Sequence, residues 1–488
     1  MKRFLSIFSL SLMMMVVCVS VMAQGYHRPS KQTQRVVSGR RGESEAQRTA
    51  YFKKTNKEGS IMRIKVKEPG QLINRITEDD RLHVTMLEIE GPLNEMDLKV
   101  LCDLGRRKEL PTHELDKNGK PKVRKAWLDL DLERARLRTK RDLANVFQDC
   151  QYLRTIILPN NMTELGNYAF SNCTMLENVM LPYGLEYIGK SAFSYCRELK
   201  EIEIPETVSE IGNSAFASCS KLEEIWLPEG LEVIGNEVFK YTSLKYIDLP
   251  ESLRVLGSGV FNSTNINHIF IPASLSQCDF TSFDTQHMLG YEVEPGHPTL
   301  CSIDGVLYTA DRSTLLRYPV KREGSYVLPR GTNYIDPNAF RNCSEIQEII
   351  LHPGIAEISD NMFSYCRKLT HVELPNNIRN IGRRAFDHCT SLLEIKLPHV
   401  LESIGEHAFQ DCKVLREIVL PRTVKVIGNK AFDDCDRLLS VTCLAPVPPV
   451  MEKMNSNTKK LIIRVQESSY KLYKSDKQWK KFKIYETF

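Results

Sequence analysis

Residues Leu199–Lys221 read L-K-E-I-E-I-P-E-T-V-S-E-I-G-N-S-A-F-A-S-C-S-K, and the same pattern returns in register along most of the chain. Leu199, Ile202 and Ile204 line one side of a short extended run that stops at Pro205, and Val208 and Ile211 form a second apolar pair that stops at Gly212. Proline cannot donate to a strand ladder and glycine tolerates a sharp bend, so the chain turns at both points. Ala215, Phe216 and Cys219 follow at near-helical spacing and predict a single helical or 3₁₀ turn with its apolar side inward. Working outward, Phe147, Phe170, Phe193, Phe216 and Phe239 are each 23 residues apart, as are Phe340, Phe363, Phe386, Phe409 and Phe432. That period is too long for a heptad and too short for a helix-hairpin repeat. Each unit is one coil of a solenoid that buries its apolar face only against its neighbours.

The proline recurs at Pro159, Pro182, Pro205, Pro228, Pro250, Pro272, Pro329, Pro375, Pro398 and Pro421, and the glycine from Gly166 to Gly257 and again at Gly382, Gly405 and Gly428. One local slip places His352 between Leu351 and Pro353. About twelve coils at a strand spacing of about 4.8 Å make a body about 60 Å long with a continuous ladder sheet along one side. Its terminal coils require covers.

The unit L-x-x-I-x-L-P-x-x-L-x-x-I-G-x-x-A-F-x-x-C-x-x resembles the BspA-type leucine-rich repeat, a 23-residue class of bacterial secreted and surface proteins, over roughly residues 143 to 443. The stretch Ser302–Tyr308 followed by Leu315–Pro319 looks like the hairpin-bearing variant unit of such proteins. The resemblance implies a leucine-rich repeat solenoid, mainly β with short helical turns, closed by N- and C-terminal caps and interrupted by a β-hairpin insert. It also implies a surface antigen that binds host matrix proteins or mediates aggregation with other cells.

The chain divides into a secretory signal peptide at 1–23, a flexible basic linker at 24–60 and an N-terminal cap at 61–145. Repeats follow at 146–272, a degenerate repeat with the hairpin insert at 273–331, repeats again at 332–443, and a C-terminal cap at 444–488. Lys2 and Arg3, an apolar run from Phe4 to Met22 and the sequence Val21-Met22-Ala23 carry the signal-peptide reading, with cleavage after Ala23. Cys18 follows Val17, where a lipoprotein signal needs a small residue. No second apolar stretch is long enough to span a bilayer, so the mature chain is expected to lack a membrane span. No long tail follows Phe488 in this sequence, so a C-terminal sorting domain or wall anchor is not expected, which leaves the route to a cell surface unexplained.

Formal charge is +5, with charged residues 26% of the chain and apolar residues 42%. The excess is uneven: residues 24 to 60 hold nine Lys or Arg against three acidic residues, and residues 453 to 483 hold ten against two. These read as a solvated linker and a basic cap face, or as a contact to acidic cell-surface polymer. A nucleic-acid partner is not expected, since export argues against it and no binding module is present. Fourteen cysteines in an exported chain would ordinarily mean disulfides. Here Cys150, Cys173, Cys196 and Cys219, then Cys343, Cys366, Cys389, Cys412 and Cys435, occupy one inward point of successive coils, where Thr242 and Thr264 also stand. A small residue is what the position requires, so buried free thiols are expected. No close cysteine pair and no matching histidine suggests a metal site.

Phosphate loops, nucleophile elbows, zinc-binding histidine pairs and dinucleotide fingerprints are absent from the sequence, so no catalytic residue, cofactor or metal is expected. His268 and His371 share a strand position but lie more than four units apart. The residues free to vary are those whose side chains leave the sheet. One row holds Ile157, Met180, Glu203, Trp226, Asp248 and Phe270, then Ile350, Glu373, Lys396 and Val419, and the row beside it holds Thr155, Asn178, Glu201, Glu224, Tyr246 and His268. Apolar groups facing outward need a reason. Trp226, Tyr246 and Phe270, with Met180 beside them, form the candidate binding patch, unless a cap, the insert or a partner covers them. The leading function is a non-enzymatic exported scaffold for a host matrix or other cell-surface protein. The alternative is a glycan-binding protein of the cell envelope, with Trp226 and Tyr246 as a stacking platform. A hydrolase would require carboxylates converging in the insert.

Overall fold

A computed structural model describes residues 60–487 apart from 108, 120, 126, 140–141, 452 and 454–460. The expected signal peptide and, but for Ser60, the expected linker lie outside the described residues. Among the described residues no helix is long and apolar enough to cross a membrane.

The chain winds as a leucine-rich repeat solenoid with little helix. Its parallel ladder begins in the N-terminal segment, where strands Ser60–Lys65, Val84–Leu93, Leu128–Asp131, Leu153–Ile157 and Asn178–Met180 pair in that order. Helix Glu95–Gly105 takes the place of a coil's turn region, and its fully buried Asp97 accepts the Gly70 and Leu72 amides at 2.7 and 2.9 Å. At the other end, strands Glu417–Leu420, Ser440–Cys443, Ile462–Gln466 and Lys483–Thr487 continue in parallel. Helix Tyr470–Ser475 and the fully buried Trp479 close over them, with the indole donating to the Pro449 carbonyl at 2.9 Å.

Three sides of each coil carry inter-coil hydrogen bonds. On the first, the expected continuous sheet is interrupted: residues 199–204, 222–227 and 244–249 keep the path of a strand, but only the Glu203–Trp226 bridge pairs. On the second, two-residue strands at Glu164, Tyr187, Glu210, Val233, Val255 and Gln277 form an unbroken parallel ladder through six coils. The ladder glycines stand beside it because backbones nearly touch there: a Cβ on Gly189 would lie 2.6 Å from the Gly166 carbonyl carbon.

The third side replaces the expected helical turn with a run of tight turns. The residues two before and two after a ladder phenylalanine take left-handed φ, as at Tyr168 and Asn172 (57° and 62°) or His407 and Asp411 (55° and 61°), except at Phe340, where only Asn342 does. Alternating handedness sends every other amide sideways, so Tyr168, Phe170 and Asn172 donate to Lys190, Ala192 and Ser194 of the next coil at 2.7–2.8 Å. A helix would keep these amides within the coil.

Inside, the phenylalanine rings stack coil on coil, with centroids 5.3–5.8 Å apart from Phe147 to Phe239 and 5.1–5.3 Å from Phe363 to Phe432. The ladder thiols are free and buried, and Cys173, Cys196 and Cys219 each donate to the phenylalanine carbonyl one coil back at 3.0–3.2 Å. Thr242 and Thr264 donate instead to the phenylalanine carbonyl of their own coil at 2.8 Å. The position therefore requires a small hydrogen-bond donor, not merely a small side chain. The slip at Leu351 is no change of register: His352 takes the turn-opening place of proline, its carbonyl accepting the Ile355 amide at 3.1 Å.

The insert separates two cores. Strand Leu300–Ile303 pairs antiparallel with Val306–Thr309, which pairs antiparallel with Thr314–Arg317, and that strand pairs in parallel with Tyr334–Ile335 of the following coil. Leu307 and Leu316 pack into the first core, whereas Val306, Tyr308, Leu315 and Tyr318 pack into the second. Tyr318 stands at the head of the second phenylalanine column, 5.1 Å from Phe340. At the seam, Arg317 is 5% exposed and donates to Asp284 at 3.0 Å and Asp336 at 2.8 Å.

Phe216→Ala removes a ring held between Phe193 and Phe239, and should lower stability by about 3–5 kcal/mol in urea denaturation. Hydrogen exchange should show the loss of protection spreading into both flanking coils, and confinement to one coil would contradict nearest-neighbour coupling. Burial pushes the Cys219 thiol up to about 12 and Cys196 well above its usual value. Both should therefore resist alkylation in the folded protein and react after denaturation.

Candidate functional site

Side chains that alternate away from the core along the first ladder form two outward rows. Inter-coil pairing sets their order: Ile157 lies beside Met180, Glu203 beside Trp226, and Phe270 beside Glu292, while Thr155 lies beside Asn178 and His268 beside Gly290. Ile157 and Thr155 are expected at the surface but are buried, each next to the strand Leu128–Asp131. Met180, Trp226, Tyr246 and Phe270 are half-buried, and Glu201, Glu203, Glu224 and Glu292 are exposed.

The four candidate residues do not form one cluster. Trp226 and Tyr246 meet edge to face, with ring centroids 6.1 Å apart at 63°, an arrangement that suits the aromatic quadrupoles. The contact is diagonal, since Tyr246 belongs to the following coil and to the other row. Phe270 stands two coils beyond Trp226 with Asp248 between them, and Met180 two coils before it with Glu203 between. The row Met180, Glu203, Trp226, Asp248, Phe270, Glu292 thus alternates apolar and acidic groups, coil by coil. Apolar members recur every two coils, about 10 Å. His268 borders this row, its Nδ1 3.2 Å from the Asn267 side-chain oxygen; burial lowers its pKa and Glu292 opposes the shift.

The insert's carboxylates have structural partners. Asp279 accepts the Thr281 amide at 2.9 Å, Glu294 the Ala273 amide at 2.7 Å, and Asp311 the Ser313 amide at 3.0 Å, while Asp284 holds Arg317. Asp304 and Gly305 make the hairpin turn with φ of 48° and 75°. Among the described residues no group of three or more His, Cys, Asp or Glu is placed to hold a metal ion. An open groove of about 560 Å³ lies where the second ladder ends, lined by Val255, Gly257, Gln277, Cys278 and Phe280 among others.

The sequence model of the BspA type leucine rich repeat region matches residues 143–267 and 324–439 in six copies. No curated protein matches the chain. Among solved structures, a leucine rich cell surface protein of Faecalibacterium prausnitzii A2-165 is 27% identical with a TM-score of 0.55, over 69% of this chain and 86% of that one. A leucine-rich repeat protein of Bacteroides ovatus ATCC 8483 is 22% identical with a TM-score of 0.45, over 82% and 95% of the two chains. The pneumococcal vaccine antigen PcpA is 20% identical with a TM-score of 0.39, over 88% and 95%.

Trp226 is half-buried on the outer surface, whereas Phe216 is fully enclosed. Trp226→Ser should therefore cost less than half of what Phe216→Ala costs in urea denaturation, despite the larger side chain. A cost equal to or above that of Phe216→Ala would mean that Trp226 is core.

Proposed function

We propose that this chain, whose segments 143–267 and 324–439 are BspA-type leucine-rich repeats, is an exported, non-enzymatic scaffold that binds a matrix or other cell-surface protein on the first ladder face. The observation that carries the reading is the alternating row through Met180, Trp226 and Phe270, with Tyr246 braced against Trp226. Half-buried aromatic side chains give large contact area for little loss of entropy, and they tend to dominate binding energy. The carboxylates between them favour a partner that presents basic groups and disfavour acidic ones. An apolar repeat of about 10 Å also suits an extended partner. A polyproline-II segment shows the same face every three residues, about 9.3 Å, close to two coils of the ladder. The similarity to a structure described as a cell surface protein supports an exported setting.

A glycan is the second reading, favoured by an aromatic pair flanked by exposed Glu203 and Glu224, which resembles a stacking platform with hydrogen-bond acceptors. Matrix proteins and a glycan array, probed side by side, separate the two.

Changing both Trp226 and Phe270 to Ser should weaken binding to the matrix protein captured in that screen at least tenfold, about 1.4 kcal/mol, with the fold retained. Changing Glu373 and Lys396, on distant coils of the same face, should matter little. Normal binding by the aromatic double variant, or its unfolding, would show that these side chains are packing elements and not a binding surface.

A further inference from the structure

The first cysteine of the ladder differs from the rest. Cys173 and the thiols after it meet a backbone carbonyl one coil back. Behind Cys150 there is no such coil, because helix Glu95–Gly105 occupies its place. Cys150 Sγ instead lies 2.9 Å from Cys102 Sγ and 3.4 Å from the Cys102 carbonyl. Both residues are buried, at 0% and 5% exposure. The approach depends on Gly105, one helical turn after Cys102: a Cβ there would stand 3.2 Å from the Cys150 Cβ. The two sulfurs are thus held together by helix packing on one side and coil stacking on the other, a short step from the bonded distance of about 2.05 Å.

We propose that Cys102 and Cys150 form a disulfide that fastens the N-terminal cap to the first coil of the solenoid. The bond arises by thiol–disulfide exchange with a small-molecule or protein disulfide. The Cys102 thiolate attacks one donor sulfur and releases a donor thiol. The Cys150 sulfur, giving its proton to solvent, then displaces the second donor sulfur. Two electrons and two hydrogens pass to the donor, which leaves as two thiols. In the folded protein, contact with Cys150, with Arg106 nearby, lowers the Cys102 pKa, whereas the same contact and burial raise that of Cys150. Since both sulfurs are enclosed once the cap is seated, exchange belongs to folding. The closed loop runs from 102 to 150, long enough for the cross-link to restrict the unfolded chain substantially. This inference is independent of the binding face and of the compartment, because the test supplies the oxidant.

The test is to refold the reduced full-length chain in a glutathione and glutathione disulfide buffer, then denature it, alkylate without reductant and map the peptides. The expected result is one cross-linked species joining Cys102 to Cys150, with Cys173, Cys412 and Cys435 alkylated. Amides of Glu95–Gly105 should exchange at least tenfold faster after reduction, and Cys102→Ser should exchange at the reduced rate with or without reductant. Alkylation of both Cys102 and Cys150, or linkage of Cys150 to Cys173 instead, would overturn the proposal.

Discussion

The buried phenylalanine ring can be covered on its two faces only by the rings of the coils before and after it, and this constraint organises the rest of the molecule. Rings that must meet at 5.1–6.1 Å fix the coil spacing. At that spacing the corners that carry glycine come so close that a Cβ would not fit, as between Gly166 and Gly189. Where the next coil carries a ladder cysteine, the same spacing brings the phenylalanine carbonyl within reach of its thiol. It also leaves the turn amides pointing at acceptors one coil away, provided that two residues per coil accept a left-handed backbone. Non-glycine residues in that conformation cost about 1–2 kcal/mol each, and the sideways hydrogen bonds offset the cost. A coil taken alone would retain the strain and lose its compensation.

Some of this was legible in the residues. The period and the inward positions follow from apolar groups that recur where burial recurs, and the insert from the family resemblance. The left-handed positions were not, because Tyr168, Ser191, Glu237, Arg384 and Lys430 share a backbone conformation and no side-chain chemistry. Tyr318 was missed as a member of the ring column since it arrives from the insert, off the period, and Cys102 was missed beside Cys150 for the same reason. The glycines were read as bends, whereas their corners demand close approach. At the candidate site, the outward rows could be written down from the strand alternation. The diagonal contact of Trp226 with Tyr246 crosses both coil and row, so neither row alone announces it. The alternation of apolar and acidic groups was present in the row and gains meaning only once neighbouring positions are known to be adjacent in space.

The proposed binding face would have unusual properties. Its side chains stand on coils that are held to their neighbours through the second ladder and the turns, so little further ordering would be needed when a partner arrives. Nor would such a face need a pocket, because each coil contributes one or two groups and a partner would be read along a line. Aromatic groups would supply contact, and the carboxylates between them would set which charges are admitted.

The hairpin insert divides the interior so that Leu307 and Val306, adjacent in sequence, serve different cores, with Val320 packed against both. That partition makes the two runs of repeats separable in heredity as well as in space. Within either run every unit offers the next the same ring, thiol and turn, so duplication or loss of whole units would leave the Arg317 seam and both closing caps undisturbed. Reach could then be lengthened or shortened on one side while the aromatic row on the other keeps its geometry, giving this architecture a means to vary its span without rebuilding the surface proposed to bind.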